Sequence, residues 1–241
     1  MKPVILVEHL KKSFGDNVVL KDISLKIDKG ENVAILGKSG TGKSVLIKCM
    51  VRLIDPDEGK LFVLGEEVMR LNTSQLNELR RRIGFLFQGS ALYDSMTVRE
   101  NLEFPLLRHR RKKVTNLNNM VIEALENVGL VDAINKMPSE LSGGMKKRVG
   151  LARTLILNPE IILYDEPTTG LDPITAKEIS QLIVHVQKKY QTSSIIITHD
   201  LNCVRTTSNR IIMLKDGLIE AEGSFDELVQ STNKWVRLFF E

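Results

Sequence analysis

Apolar and β-branched runs alternate along the chain with segments in which apolar residues recur at helical spacing. Runs of four or five residues predict strands at 4–7, 24–27, 33–36, 61–64, 83–87, 161–164, 194–198 and 210–214. Helical spacing predicts helices at 43–53, 176–188 and 225–230. Asp216 and Gly217 lie between two further runs and predict a two-residue hairpin turn. This alternation of strands and helices predicts an α/β fold.

The region from Thr97 to about Leu157 differs from its flanks, because it contains several helical stretches and no convincing strand. One stretch ends at Gly129, a residue type common at helix C-caps, and another begins after Ser142, a residue type common at N-caps. No internal repeat, low-complexity tract or long linker sets the region apart. We therefore expect a helical lobe inserted into an α/β core.

The composition excludes several classes of protein. With 42% hydrophobic and 27% charged residues, the 241-residue chain is neither disordered nor a disulfide scaffold. Its apolar runs are far shorter than the roughly 18 residues that a membrane-spanning helix needs, and its first residues lack the features of a secretory signal. We therefore expect a cytoplasmic protein with no transmembrane span. Cys49 and Cys203 have no motif spacing and are expected to be buried thiols rather than a disulfide.

The charge balance is mildly basic, with a net charge of +4 and a pI of about 9.0. Basic residues cluster at 80–82, 108–113 and 146–148, which is typical either of solvated helix faces or of a surface close to an anionic membrane. Aromatic residues make up only 5% of the chain, too few for an obvious base-stacking platform. We therefore expect no nucleic-acid partner.

The segment GKSGTGKS follows the apolar run NVAIL and precedes a predicted helix, which is the context that a P-loop requires. It consists of Gly37, Lys38, Ser39, Gly40, Thr41, Gly42, Lys43 and Ser44. In a P-loop the glycines allow backbone N–H groups to point toward phosphates, Lys43 reaches the β- and γ-phosphate oxygens, and the Ser44 hydroxyl can ligate Mg²⁺. The pattern predicts nucleotide binding.

Polar side chains follow three other apolar strands, at the edge of the sheet where α/β sites form. The strand EIILYDEP ends in Asp165, expected to hold Mg²⁺ through water, and Glu166, expected to act as general base on the attacking water. His199 follows SSIIIT and is a candidate γ-phosphate sensor. Gln88 follows RIGFLF and can add its amide oxygen to the Mg²⁺ shell. Each residue type is common in surface loops, so its placement at a strand end is what makes it a candidate.

The segment LSGGM precedes another predicted helix, so Ser142, Gly143 and Gly144 lie at a helix N-terminus whose exposed N–H groups can bind an anion. The chain has no second P-loop, and the first one already serves one nucleotide. A second anion site is therefore useful only if another protomer supplies its phosphate. A simple helix cap is the alternative interpretation.

Taken together, LSGGM, GKSGTGKS, Gln88, ILYDEP, TTGLDP and His199 resemble the ATP-binding-cassette ATPase family, with every motif in the family's order between about Val4 and Ser224. The resemblance implies a P-loop NTPase fold with a RecA-like core, an antiparallel β subdomain and an inserted helical subdomain. It also implies a single ATPase domain. In that domain 1–90 and 158–224 form the core with its β subdomain, 91–157 the helical subdomain and 225–241 a C-terminal helical tail.

The same resemblance implies a head-to-tail homodimer that binds two ATP molecules and Mg²⁺, each ATP lying between the P-loop of one protomer and residues 142–144 of the other. Phe14 is similar to the aromatic residue that stacks on adenine in the family, and a core-facing strand aromatic is the alternative. Asp172 corresponds to the D-loop between the protomers. Met145 stands where the family commonly has Gln, which puts the contact of that Gln in doubt.

The segments FLFQGSALYDSMTVRENLEFPL, MPSELSGGM and LDPITA are most similar to the ATPase subunits of Mla-type (maintenance of lipid asymmetry) phospholipid transporters. This similarity implies transmembrane permease subunits docked near 93–100, a lipid-binding substrate protein in the complex, and a peripheral position on the cytoplasmic side of the inner membrane. The alternatives are an ATPase of an amino-acid importer or lipoprotein exporter, a soluble ABC protein that acts on DNA or ribosomes, and a module that has lost catalysis. Near the C-terminus, Trp235, Phe239 and Phe240 form an apolar stripe for a partner or for the chain's own domain.

Overall fold

The computed structural model describes residues 3–109 and 116–241, so the basic cluster at 108–113 lies largely outside the described residues. The strands are β1 (Ile5–Phe14), β2 (Asn17–Ile27), β3 (Asn32–Leu36), β4 (Glu58–Val63), β5 (Glu66–Glu67), β6 (Ile83–Leu86), β7 (Ile161–Asp165), β8 (Ser193–Ile197), β9 (Arg210–Lys215) and β10 (Leu218–Gly223). The helices are α1 (Lys43–Met50), α2 (Thr73–Arg81), α3 (Val98–His109), α4 (Leu117–Glu126), α5 (Gly143–Leu155), α6 (Pro173–Tyr190), α7 (Leu201–Thr207), α8 (Phe225–Val229) and α9 (Lys234–Arg237). Short 3₁₀ helices lie at Val68–Arg70, Val131–Ala133 and Pro138–Glu140.

All described strands join one sheet in the order β5-β4-β1-β2-β10-β9-β3-β8-β7-β6. The half from β9 to β6 is parallel, and the half from β5 to β2 is antiparallel. Strand β10 connects the halves, because it pairs antiparallel with β9 and meets β2 through one parallel pair, Leu218 with Asp22. The predicted α/β core and the implied antiparallel β layer are therefore both present.

The parallel strands are buried on both faces, which is why they appear in the sequence as continuous apolar runs. On one face, residues such as Ile195 pack with the antiparallel strands and with α1 and α2, for example with Leu61 and Ile47. On the other face, Ile196 packs with α5 and α6, for example with Ile183. This packing places the carboxyl ends of β3, β6, β7 and β8 at one edge of the core.

The region from 97 to 157 forms a separate apolar cluster built from helices. Leu102 of α3, Leu125 of α4 and Val149 of α5 are completely buried in it. In the described parts of this region, 97–109 and 116–157, no strand is present. The structure thus confirms the predicted helical lobe, including the helix after Ser142, and Gly129 follows α4 with a positive φ of 67°.

Several elements are longer, shorter or additional compared with the sequence prediction. Strands β1 and β2 extend far beyond 4–7 and 24–27, because their polar ends pair with each other while one face stays exposed. Helix α1 ends at Met50 rather than near 53, since Arg52 adopts a left-handed φ of 51°. Helices α2, α3, α7 and α9 were not predicted individually. For α2 a local signal exists, because Asn72 and Gln75 form a reciprocal capping box.

The hairpin turn and the C-terminal segment agree with the sequence prediction. Asp216 and Gly217 join β9 to β10 with φ values of 50° and 78°, as a tight turn with two left-handed residues requires. Trp235, Phe239 and Phe240 pack against a buried cluster that contains Val236, so this stripe covers the chain's own domain.

Both cysteines are free and buried, as expected. Burial raises the pKa of each thiol, Cys49 and Cys203, to about 11. Across residues 3–109 and 116–241, none of the helices has the length and apolar character needed to cross a bilayer.

Candidate functional site

The predicted phosphate loop connects β3 to α1, as its sequence context requires. Gly42 precedes α1 with a φ of 92°, and a Cβ at that position would lie 2.7 Å from Cδ2 of Leu20 and 2.9 Å from Cγ1 of Val19. Only glycine satisfies both the left-handed backbone and this close approach. The loop therefore packs directly on β2, which holds its backbone in one shape.

Lys43 occupies the inside of the loop. Its ammonium donates hydrogen bonds to the backbone carbonyls of Gly37 at 2.8 Å and Lys38 at 2.9 Å. Burial lowers the pKa of Lys43, and the nearby carboxylates of Glu166 and Asp165 oppose that shift. A buried cation is thus held where the loop would meet the phosphates of a nucleotide.

Ser44 and Asp165 come from different elements and meet beneath the loop. The Ser44 hydroxyl donates to Oδ1 of Asp165 at 3.0 Å, although the residues are 121 positions apart. A hydroxyl beside a carboxylate is a donor set that fits Mg²⁺, which prefers few protein oxygens together with phosphate oxygens and water. The described part of the chain contains no group of three or more His, Cys, Asp and Glu side chains that could hold a metal ion.

Glu166 follows β7 in a left-handed backbone conformation with φ 52°, which is uncommon for a residue other than glycine. Its N–H donates to the carbonyl of Ile197 at 2.8 Å. Its carboxylate oxygen Oε2 accepts a hydrogen bond from Thr169 Oγ1 at 2.8 Å and lies 3.0 Å from Nδ1 of His199. The Glu166 side chain is 15% exposed and that of His199 is 72% exposed, so the pair forms a fixed base beside an accessible imidazole.

A single cleft contains residues from most of the predicted positions, whereas Lys38, Thr41, Asp165 and the LSGGM segment are absent from its lining. It is lined by Phe14, Val19, Gly37, Ser39, Gly40, Gly42, Lys43, Ser44, Val45, Gln88, Glu166 and His199. The sheet order explains the assembly, because β3, β7 and β8 are neighbours and all end at this edge. The cleft can accept a nucleotide with its phosphates on the loop.

Phe14 lies at the end of β1 with 49% of its surface exposed, so it does not face the core. The Lys12 ammonium lies 5.3 Å from the centroid of its ring. The alternative of a core aromatic is therefore wrong, and the ring is free to stack on a planar ligand in the cleft.

Ser142, Gly143 and Gly144 open α5 at a distance from this cleft and are absent from its lining. The Ser142 hydroxyl accepts a hydrogen bond from the N–H of Met145 at 3.3 Å, which makes Ser142 an N-cap. A Cβ on Gly144 would lie 2.5 Å from Cγ2 of Thr175, so glycine permits α5 to pack closely on α6. One chain thus keeps its two predicted anion sites apart.

Asp172 has a clear structural role as the N-cap of α6. Its Oδ1 accepts hydrogen bonds from the N–H groups of Ile174 and Thr175, both at 3.0 Å, and its Oδ2 accepts one from the Thr175 hydroxyl at 2.6 Å. The hydroxyl bond to Thr175 is the main cause that lowers the pKa of Asp172. Two residues later, the large apolar side chain of Ile174 is 74% exposed.

Two residues in contact with the site were missed by the sequence analysis. Thr169 orients the Glu166 carboxylate, and its place three residues after Glu166 was the available signal. Lys147 is only 5% exposed and donates hydrogen bonds to the backbone carbonyls of Gln88 and Glu166. No sequence pattern distinguishes Lys147 from the basic residues on either side of it.

A family model described as ABC transporter matches residues 20–169. The chain is 40% identical over 239 residues to the probable ribonucleotide transport ATP-binding protein mkl of Mycobacterium leprae, covering 99% of this chain and 69% of that protein. It is 36% identical over 238 residues to the intermembrane phospholipid transport system ATP-binding protein MlaF of Haemophilus influenzae, covering 99% of this chain and 90% of that protein. The chain spans about two thirds of the length of the mycobacterial relatives that it matches.

A relative named for methionine import and a solved ATP-binding cassette are also similar to this chain. The methionine import ATP-binding protein MetN of Clostridioides difficile is 36% identical over 234 residues, which cover 97% of this chain and 73% of that protein. A dimeric structure of the ATP-binding cassette MJ0796 in a post-hydrolysis state, bound to ADP and Pi, superposes with a TM-score of 0.83 at 35% identity. That match covers 91% of this chain and 98% of the solved chain.

Proposed function

The chain belongs to the ABC transporter family and is an ATP-binding, ATP-hydrolysing subunit of such a transporter, and we propose that its transporter moves phospholipid across a bacterial envelope. The observation that carries the proposed chemistry is the carboxylate of Glu166, 3.0 Å from His199 Nδ1 and hydrogen-bonded to Thr169, in the same cleft as the phosphate loop. A fixed acceptor for a proton next to bound phosphate is what hydrolysis requires.

In the proposed mechanism the backbone of 37–44 and the Lys43 ammonium bind the phosphates of ATP, and Phe14 stacks on its adenine. Glu166 accepts a proton from the water that attacks the γ-phosphorus, and ADP leaves with the β-phosphate oxygen as the leaving atom. His199 donates a hydrogen bond to the γ-phosphate and holds it against the attacking water.

Ser44, Asp165 and Gln88 are the residues proposed to hold Mg²⁺. The 3.0 Å contact between the Ser44 hydroxyl and Asp165 supports this assignment, because it brings two suitable oxygens together before any ion binds. Bound Mg²⁺ would neutralise charge on the phosphate oxygens. In this chain Asp165 is buried at the end of β7, with 7% of its surface exposed.

The second half of each ATP site is proposed to come from a second copy of the chain, through Ser142, Gly143 and Gly144. Their separation from the cleft and the dimeric state of the similar cassette support a head-to-tail homodimer. Closure of that dimer on ATP would move the helical lobe, and the lobe would transmit the motion to transmembrane permease subunits. The remaining proposed features are a lipid-binding substrate protein in the complex and a peripheral position on the cytoplasmic face of the inner membrane.

Replacement of Glu166 by Gln tests the proposed chemistry. The amide keeps the size of the side chain but cannot accept a proton from water, so we expect kcat to fall about 10²- to 10⁴-fold, with ATP binding retained. The matched control is Glu160→Gln, which removes a carboxylate just before the same strand, where it pairs with Arg82 on the surface. Turnover by E166Q at the level of E160Q would exclude Glu166 as the base.

The phospholipid proposal rests on the similarity to MlaF and has a separate test. We expect the chain to co-purify with a permease from its native membrane, and lipid extraction with mass spectrometry to find phospholipid bound to that complex. The similarity to MetN favours methionine as the second candidate cargo. ATP hydrolysis by the complex that is stimulated by methionine, with no bound phospholipid, would replace the first proposal by the second.

A further inference from the structure

The helix α5 begins at the LSGGM segment, yet it also contacts the loop after β6 that contains Gln88. Lys147 donates to the carbonyl of Gln88, and the Arg153 guanidinium donates to the carbonyls of Ser90 at 3.0 Å and Ala91 at 2.8 Å. Between them Gly150 lies so close that a Cβ there would be 3.1 Å from Cβ of Ser90. Positions 147, 150 and 153 recur every three residues, so one face of α5 carries all these contacts.

Lys147 differs from the other two residues because it also contacts Glu166, the residue that follows β7. Its ammonium donates to the carbonyl of Glu166 at 3.1 Å while it donates to the carbonyl of Gln88. Burial lowers the pKa of Lys147, and the charges of Glu166 and Asp165 oppose that shift. A buried ammonium is costly, and here backbone carbonyls are its hydrogen-bond partners. This arrangement ties together the loops that follow β6 and β7, two paired strands of the parallel sheet.

The hydrogen bond from Lys147 to the Glu166 carbonyl matters because Glu166 has an unusual backbone conformation. A left-handed φ at a non-glycine residue persists only where surrounding contacts hold it. For the Glu166 backbone those contacts are the bond from its N–H to the Ile197 carbonyl and two bonds to its own carbonyl, one from Lys147 at 3.1 Å and a longer one from the Thr169 N–H at 3.4 Å. The direction of the Glu166 carboxylate depends on that backbone and on its contacts with Thr169 and His199, so loss of the Lys147 bond removes one of the constraints that hold it.

We propose that Lys147 is a positioning residue for ATP hydrolysis, which holds the backbones of Glu166 and Gln88 in fixed relation and thereby links the LSGGM helix to its own chain's cleft. The inference rests on the proposed role of Glu166 as general base. The proposed contact lies within one protomer. It joins α5, the helix proposed to bind the partner's ATP, to the cleft that binds the protomer's own ATP. A shift of α5 on dimer closure would then reach the base and the Gln88 loop directly.

Three variants of the full chain test the proposal: Lys147→Met, Lys147→Arg and the control Lys146→Met. K147M keeps the apolar stem but loses all donors, so we expect kcat to fall about 10- to 100-fold while KM for ATP changes less than about threefold. K147R retains two or more donors and is expected to recover most of kcat. K146M removes the same charge one residue earlier and is expected to behave as the unmodified chain.

Hydrogen exchange gives a readout that does not depend on activity. In K147M we expect faster amide exchange in 86–92 and 164–170, with unchanged exchange in the rest of the chain. E166Q is expected to lose kcat and keep normal exchange in both segments. This difference separates the two proposals. An unchanged kcat in E166Q would overturn the role of Glu166 as general base, and hydrogen exchange in K147M would still test whether Lys147 positions the two loops.

Two results would overturn the proposal for Lys147. One is a K147M variant with the same kcat and the same hydrogen exchange as K146M. The hydrogen bonds from Lys147 to the carbonyls of Gln88 and Glu166 would then have no effect on the position of either loop. The other is faster exchange throughout K147M with a lowered Tm and no recovery in K147R, which would assign Lys147 a general role in stability.

Discussion

The two glycine-containing segments that open α1 and α5 share a local design but differ in their surroundings. The loop before α1 is closed from within, because Lys43 bonds to two of its carbonyls and Ser44 bonds to Asp165. The segment before α5 is capped only by Ser142, and Ser142 and Gly143 are exposed. Glu166 and His199 line the cleft of the first segment, whereas Gly144 of the second segment packs against Thr175 of α6.

This difference indicates that the two segments have different functions in one chain. Every proposed reacting group is assembled around α1 by the order of the parallel strands, and no contact with a second chain is needed to bring the groups together. The α5 segment offers exposed N–H groups with no charged partner of its own, which is suited to a phosphate that arrives from outside. Experiments on the two segments should therefore give losses of the same size but of different kinds.

The largest effect is expected when one segment is disabled in each of two chains. Lys43→Met removes the charge that meets the phosphates, and Ser142→Arg fills the exposed N-terminus of α5, so each variant alone should lose at least about 100-fold in turnover. A mixed dimer of one K43M chain and one S142R chain can be purified through two different tags. It has one intact ATP site, formed by the P-loop of the S142R chain and residues 142–144 of the K43M chain. Its turnover should return to about half that of the unmodified dimer, because one of two sites is complete.

Ser74→Arg is the matched control for the second variant, since Ser74 is also an exposed serine in the first turn of a helix, α2. S74R should keep normal turnover. A mixed dimer as inactive as K43M and S142R alone would contradict the proposed exchange of segments between chains. Both segments would then act on the same nucleotide within one chain.

A smaller effect is expected from the edge of the cleft. Phe14→Ala removes an aromatic surface that is 49% exposed, and loss of stacking on adenine should weaken ATP affinity about 2- to 10-fold with kcat little changed. Phe14→Tyr should bind ATP normally. The control Leu238→Ala removes an apolar side chain that is 59% exposed near the C-terminus. Equal ATP affinities for F14A and L238A, measured by fluorescence titration, would place adenine elsewhere.

Local signals predicted much of the fold. The continuous apolar runs of β7 and β8 and the pair Asp216-Gly217 act over a few residues, so the sequence was sufficient to find these elements. The outer parts of β1 and β2 were missed, because their few buried residues, such as Leu10 and Leu20, are separated by polar ones, and pairing between the two strands completes them. The full lengths of such strands depend on partners that are distant in sequence.

The candidate site shows the same limit. The residue types at the strand ends identified Asp165, Glu166 and His199, since each follows an apolar run. The 3.0 Å approach of His199 to Glu166 depends on β7 and β8 being neighbours, which no local pattern states. Lys147 was missed for a related reason: its burial results from the packing of α5 on two loops, whereas its sequence neighbourhood is that of a solvated basic cluster.

The smallest expected effect concerns the residue at which this chain departs from the family pattern. Met145 packs with its side chain against the apolar cluster of the helical lobe, while its N–H bonds to Ser142. If only the backbone and Ser142 of the α5 segment meet a phosphate, Met145→Gln should leave turnover within about twofold and lower stability by about 1 kcal/mol, because a half-buried amide replaces an apolar group. Met120→Gln is the matched control, since Met120 packs against the same cluster from α4. Equal losses of Tm and equal turnover in the two variants would limit the second anion site to 142–144, whereas a change of turnover in M145Q alone would extend it to the side chain at 145.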